Sequence, residues 1–444
     1  VVTSRGRAPL DVLIRDGRVA ALLPRGGPAA AAEPLPAGTR EIDAAGLLVL
    51  PGFVDTHVHL MEPGDGTRED FRAGTSAALH QGVTTIIEHT HGWPVTTAGR
   101  LTEKLAAVRG RSWVDYGLAA HVFPAHVAEL PGLWQGGVTF FKIFTCDTHG
   151  VPGLATDMLH EVLAVLARVG APCLIHCEDG PITAAAQRRL RDLDRDDFWI
   201  LPEWRSREAE LVAVATACLL ARLTGARATV AHASHMDVVD AVTAAAAAGA
   251  DVVAESCPQY LLLAEDEVGD HGALRKFTPP ARLRTGQDAD RMWAAVQDGH
   301  IHHLSSDHAP ATRAQKSAGS IWDAPFGLPG LDTTAPVLID AALGGRLSLE
   351  RVVEAYATAP ARRYRLRGKG ELLPGCDADL ALIDPAARWV IGDEHVRSKA
   401  GWTPYAGREV RGKVVGTVLR GTLAAWQGEP AGEPGGRFVP GPVR

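Results

Sequence analysis

In the stretch FVDTHVHL, His57 and His59 are separated by a single residue. Alternate residues of a strand face the same way, so the two imidazoles share a face and make a ready chelate for a divalent cation. A second feature is harder to place in an ordinary core. Lys142 lies in GVTFFKIFTCD among Phe140, Phe141, Ile143 and Phe144, and an ammonium among apolar side chains is costly unless it is paired or changed. Unmodified, it has donors and no lone pair and would repel a metal. Burial lowers a lysine's pKa and frees the neutral amine, which can add carbon dioxide to become a carbamate with two oxygens and a negative charge. One oxygen to each of two cations would make the costly residue a bridge. Three more apolar runs end in residues of the same potential: His176 in CLIHCED, His232 in TVAHAS and Asp307 in IHHLSSDHAP. Each alone reads as hydrogen-bonded structure. Five strand ends that agree read as one site.

The elements that must position these residues alternate along the chain. Strand-like runs (VTTIIEHT, YGLAAHVF, TFFKIF, PCLIHC, ATVAHAS, DVVAESC, IHHLSSDH) are separated by amphipathic stretches such as DMLHEVLAVLARVG and SREAELVAVATACLLARLTG, each ending at glycine. That pattern predicts parallel βα units, and about eight of them over some three hundred residues predict an α/β fold of the (β/α)8 barrel type. Functional side chains of such a barrel sit at the C-terminal strand ends, where these residues fall. No GxGxxG follows an early strand, which weakens a dinucleotide-binding alternative. Outside the barrel the pattern changes to short strands: a hairpin at DVLIRDGRVAAL with Asp16–Gly17 as its turn, an Ala-, Pro- and Gly-rich loop, and DADLALID and VRGKVVGTVLRGTLAAW near the other end. The expected organisation is therefore residues 1–50 and 366–444 as two parts of one small β-sandwich domain, around a barrel at 51–365. The Ala-rich run 243–248 is expected to be helix.

Composition narrows the function. The 444-residue chain carries a formal net charge of −7, which offers no basic surface for nucleic acid. No apolar run is long enough for a membrane span and no charged-then-apolar leader is visible, so a cytoplasmic protein with no membrane partner is expected. The six cysteines form no CxxC pair and read as reduced, buried thiols, including Cys173 and Cys177 beside His176.

Together PGFVDTHVHLMEPG, FFKIF, HCED, ESCPQYLLL, FTPPARL, SSDHAP, APFGLPGLDT and DADLALID resemble, in order and over nearly the whole chain, the cyclic amidohydrolases of the dihydroorotase, allantoinase and hydantoinase (dihydropyrimidinase) group. The resemblance implies two divalent metal ions, zinc as the usual occupant. His57, His59 and Asp307 would hold one ion and His176 and His232 the other, with carboxylated Lys142 as bridge. It implies hydroxide attack on a cyclic amide, a small-molecule substrate, with Asp307 moving the proton from water to the leaving nitrogen, and a homotetramer or homodimer. Dihydroorotases carry an arginine, an asparagine and a histidine as a carboxylate clamp; the matching positions here are Met61, His91 and Ala311, which disfavours dihydroorotate. Hydantoinases place a tyrosine after the bridging lysine, where this chain has Asp147. His91, Asp147, His149 or a backbone amide is left to support the oxyanion, and Cys257, Tyr260, Arg282 and Phe326 are the expected pocket edges. His302 and His303 precede a strand end and are expected to pack or face a helix, and His308 to support its neighbour Asp307 or contact substrate. A cyclic ureide or imide is the expected substrate. The alternatives are a dihydroorotase, a non-catalytic scaffold of the same fold, or a barrel metallohydrolase acting on an exocyclic bond.

Overall fold

Short apolar runs buried on both faces form a parallel sheet, as their unbroken hydrophobicity requires. The computed structural model describes residues 1–24, 38–317 and 319–442. In it β1 (Phe53–Val58), β2 (Val83–Glu88), β3 (Asp115–Leu118, resumed at Ala120–His121), β4 (Phe141–Phe144), β5 (Pro172–His176), β6 (Arg227–Val230), β7 (Val252–Ser256) and β8 (Ile301–Leu304) follow in order. Each pairs in parallel with the next. The circle closes where Val58 bridges His308 in parallel and the His59 N–H donates to the His308 carbonyl at 2.8 Å. Helices such as Thr156–Val169, Arg207–Thr224 and Met236–Ala247 return the chain between strands, and the first two stop at Gly170 and Gly225 as expected.

The barrel interior explains the level of the site. Val54, Ile87, Ala119, Phe140, Leu174 and Ala231, each from a different strand or its end, form an apolar plug with Tyr364 from the C-terminal segment. The strand period of two puts the residue two places farther on the same inward face. Four of those six residues are His89 after Ile87, His121 after Ala119, Lys142 after Phe140 and His176 after Leu174, beside Thr56 after Val54 and Ala233 after Ala231. A polar layer therefore lies directly above an apolar one.

The chain ends build an antiparallel sheet beside the barrel. Leu48–Pro51 pairs with Leu380–Val390, which pairs with Glu409–Leu419, followed by Thr422–Trp426 and Glu429–Pro430. The hairpin Leu10–Arg15/Arg18–Pro24 turns at Asp16–Gly17, both with positive φ (52° and 76°), the backbone a two-residue hairpin favours. It joins the C-terminal segment through the Val19 N–H to the Cys376 carbonyl, and Val12, Ile14 and Val19 pack with Leu380, Leu382 and Val418. The α/β fold is thus a TIM-like barrel with a small β-sandwich. The Ala-, Pro- and Gly-rich loop expected after the hairpin lies largely outside the described residues. All six cysteines are free and five are buried. Among the described residues no helix is long and apolar enough to cross a membrane.

Candidate metal centre

Each expected metal-ligating side chain has an orientation set by a neighbour. His57 is buried, and its Nδ1 lies 3.0 and 3.2 Å from the two carboxylate oxygens of Glu255. That contact places the proton on Nδ1 and leaves Nε2 as an acceptor. His59 Nδ1 donates to the His89 carbonyl at 2.6 Å, which frees its Nε2 in the same way. Both Nε2 atoms then face Asp307 Oδ1, at 3.2 and 3.4 Å. Three acceptors converge, and they repel one another unless a cation stands among them. Lys142 Nζ lies 3.1 Å from His57 Nε2; Lys142 is 1 % exposed and has no carboxylate at ion-pair distance among the described residues.

Across from this group, His176 Nε2 donates to Glu178 at 2.7 Å, so its Nδ1 carries the lone pair that meets His232 Nε2 at 2.9 Å. Glu178 is itself held by Thr278 Oγ1 (2.6 Å) and the Arg205 guanidinium (3.3 Å). Burial would raise the Glu178 pKa, but Arg205 and His176 hold it down at about 2. Burial pushes the imidazoles of His57, His176 and His232 below the ordinary histidine range, which keeps their lone pairs available at neutral pH. Burial also lowers Lys142, against the pull of Asp307 and Glu255. The donor set of imidazole nitrogens and carboxylate oxygen fits divalent zinc or a neighbouring transition metal.

His232 and Asp307 reach the site through strained backbone, with φ of 41° and 48°. Non-glycine residues rarely adopt this region, and it clusters at functional sites. Asp55 ties the two ends of the barrel together: its carboxylate accepts from the His57 N–H (3.2 Å), the Ser306 N–H (3.1 Å) and the Tyr356 hydroxyl (2.7 Å).

The expected pocket residues divide. His91 joins the cluster, with its ring 3.8 Å from that of His59, and Phe326 stands at the rim 5.7 Å from His149. Asp147 does not join: it is exposed and accepts from the Gly153 N–H at 2.7 Å, which fixes its own loop. The Tyr260 hydroxyl is spent on the Pro279 carbonyl (2.9 Å), Arg282 on the Arg205 carbonyl, and Cys257 Sγ lies 3.6 Å from the Ser305 hydroxyl. Tyr260, Arg282 and Cys257 are buried, and Asp147 is held within its own loop. His303 is buried against Tyr364 and contacts His302. His308 Nδ1 accepts from the Gly330 and Leu331 N–H groups at 3.0 and 3.3 Å, which braces the loop after Asp307. The anchors Glu178, Glu255 and Asp55 escaped notice in the sequence. Each is an acid inside or just after an apolar strand, the same signal that singled out Lys142.

The amidohydrolase family model matches residues 48–424. The chain belongs to that family. It is an enzyme, a hydrolase, and it matches its relatives over nearly its whole length. An allantoinase of Rubrobacter xylanophilus is 37 % identical over 97 % of this chain and 93 % of its own length. A dihydroorotase of Halobacterium salinarum is 34 % identical, covering 97 % and 98 %. The solved structure of an L-hydantoinase (dihydropyrimidinase) from Arthrobacter aurescens superposes with a TM-score of 0.92 at 32 % identity, covering 99 % of this chain and 97 % of that one.

Proposed function

We propose that this chain hydrolyses the C–N amide bond of a cyclic ureide or imide, opening the ring to leave a new carboxylate, with two divalent cations held at the barrel mouth. The observation that carries the reading is the convergence of His57 Nε2, His59 Nε2 and Asp307 Oδ1, acceptors whose opposite ring nitrogens are already committed. His57, His59 and Asp307 would hold one cation, His176 and His232 the second, and Lys142, carboxylated, would bridge them. Bound there, the cations, zinc in the first place, would make water a nucleophile at neutral pH and polarise the ring carbonyl.

The chain's own groups do the rest. Asp307, with 14 % of its side chain exposed, takes the proton from the attacking water and returns it to the ring nitrogen as the C–N bond breaks. Glu255 and Glu178 keep the imidazoles of His57 and His176 in one tautomer and one orientation. Phe326 and His91 wall the mouth where the ring enters. The reading includes a cytoplasmic homotetramer or homodimer, which sedimentation of the purified protein measures.

A ring that carries a carboxylate, as dihydroorotate does, is a second reading favoured by one observation. Met61 and Ala311 are buried and neutral, but Arg68 is tethered to the Pro310 carbonyl (3.0 Å) beyond Asp307, and one of its terminal nitrogens is buried without a partner. A panel of allantoin, hydantoin, dihydrouracil, dihydroorotate and a cyclic imide separates the readings. The expected result is opening of a ureide or imide that a chelator abolishes and zinc with bicarbonate restores. Turnover of dihydroorotate alone would favour the second reading. Metal-loaded protein that opens none of the rings would defeat both.

A further inference from the structure

β2 ends as β1 does, in two histidines separated by one residue: His89 and His91 in EHTHG. The two-cation reading uses neither as a ligand. His89 and His121 stand in the inward layer above the apolar plug, and His121 is paired directly with Lys142 in the ladder between β3 and β4. One nitrogen each from His89, His91 and His121 lies within 4.8 Å of the other two. The His121 ring centre is 5.9 Å from those of His89 and His91. Imidazoles that each aim a nitrogen at one zinc from about 2.0–2.1 Å hold their centres about 5 Å apart, so a small inward movement closes them on an ion.

A second observation points to a ligand. The three side chains are 1 %, 7 % and 1 % exposed, and both ring nitrogens of each are buried without a hydrogen-bond partner. No other histidine among the described residues has both nitrogens so placed. Polar atoms are rarely left in that state, and a cation among the three rings would take the lone pair of each, one of the two unpartnered nitrogens per ring. The supporting backbone is fixed. Lys104 donates to the Thr90 hydroxyl and the Glu62 carbonyl and pairs with Glu88 at 2.8 Å, while the His121 N–H donates to the Val95 carbonyl at 2.8 Å.

We propose that His89, His91 and His121 form a third metal site that takes a late first-row divalent cation such as zinc, nickel or copper, the ions that suit an all-imidazole set. Three protein ligands leave one position open. His91 is the most exposed of the three and lies 4.3 Å from His149 beside the mouth, so an oxygen of an entering substrate can fill that position. His89 is also within 4.8 Å reach of His57 and His59, and the rival outcome is that it serves the first cation as an extra ligand.

The test is metal content after equilibrium dialysis of the full chain against zinc and bicarbonate. The expected result is three equivalents in the unaltered protein and two in His121→Ala and in His91→Gln. Two equivalents in the unaltered protein, or a variant that keeps the unaltered content, overturns the third site and leaves the pair intact. A variant that falls below two also overturns it, because His121 or His91 would then only support the pair. No retained metal at all defeats the two-cation reading as well. Should a variant melt far below the unaltered metal-free protein, an anomalous-difference map of zinc-loaded crystals decides: a peak among the three imidazoles is expected, and its absence overturns the proposal.

Discussion

Lys142 Nζ donates to His57 Nε2 at 3.1 Å and makes no ion pair with any described carboxylate. A buried ammonium in that position is answered by one acceptor only, whereas a carbamate there would meet cations. Lys142→Ala should therefore lose bound metal and ring-opening activity together, checked by metal analysis and turnover on the same sample. A variant that keeps both would return Lys142 to an ordinary core lysine. Asp307→Asn should separate the two readouts. It keeps an oxygen for the cation and loses the group that carries the proton, so activity should fall by about 10²- to 10⁴-fold while most of the metal stays. Glu255→Gln touches neither substrate nor cation. It weakens the contact that sets the His57 tautomer, and metal affinity or activity should fall about 10- to 100-fold, measured by competition with a chromophoric chelator.

At the scale of elements, the site depends on loops that turn inward at strand ends. Gly330 packs against the loop that carries Asp307: a β-carbon placed there would lie 2.8 Å from the Ser306 carbonyl oxygen and 2.9 Å from its Cβ. Gly330→Ala should cost about 1–3 kcal/mol of stability by overpacking and lower kcat through the displaced Asp307, read by denaturant unfolding and initial rates. The strand ends were legible in the sequence because a parallel barrel strand is apolar throughout, so a polar residue at its end stands out; His57, His59, Lys142, His176, His232 and Asp307 were singled out that way, and the structure brings them close to one another. The pocket wall is harder to read from sequence. Whether Tyr260 or Arg282 faces substrate depends on which carbonyl its polar head reaches, here Pro279 and Arg205, and loop geometry decides that. Glu255 and Glu178 were hidden for a related reason, since an acid in a strand declares a partner without naming it.

On the scale of the whole molecule, Lys369 fastens the sandwich to the barrel. Its ammonium, in a side chain 2 % exposed, lies 2.6 Å from Asp115 at the start of β3, 2.9 Å from Asp377 and 2.8 Å from Asp379, and Arg420 also pairs with Asp115. Burial would lower the Lys369 pKa, but the carboxylates raise it above the ordinary lysine value of 10.5. A raised lysine contributes its full stabilisation below the unfolded value and loses it as pH climbs through the folded one. Lys369→Met should therefore cost about 3–5 kcal/mol at neutral pH, because it strands buried carboxylates. That deficit should shrink above pH 10.5, as chemical unfolding across pH would show. The two-cation reading of the assembled barrel is tested most directly by crystals of the zinc-loaded enzyme, with anomalous differences measured at the zinc edge. The expected result is a peak bounded by His57, His59 and Asp307, a second bounded by His176 and His232, and carbamate density on Lys142 between them. An unmodified Lys142 still resting on His57 Nε2, with no peak on either side, would contradict it.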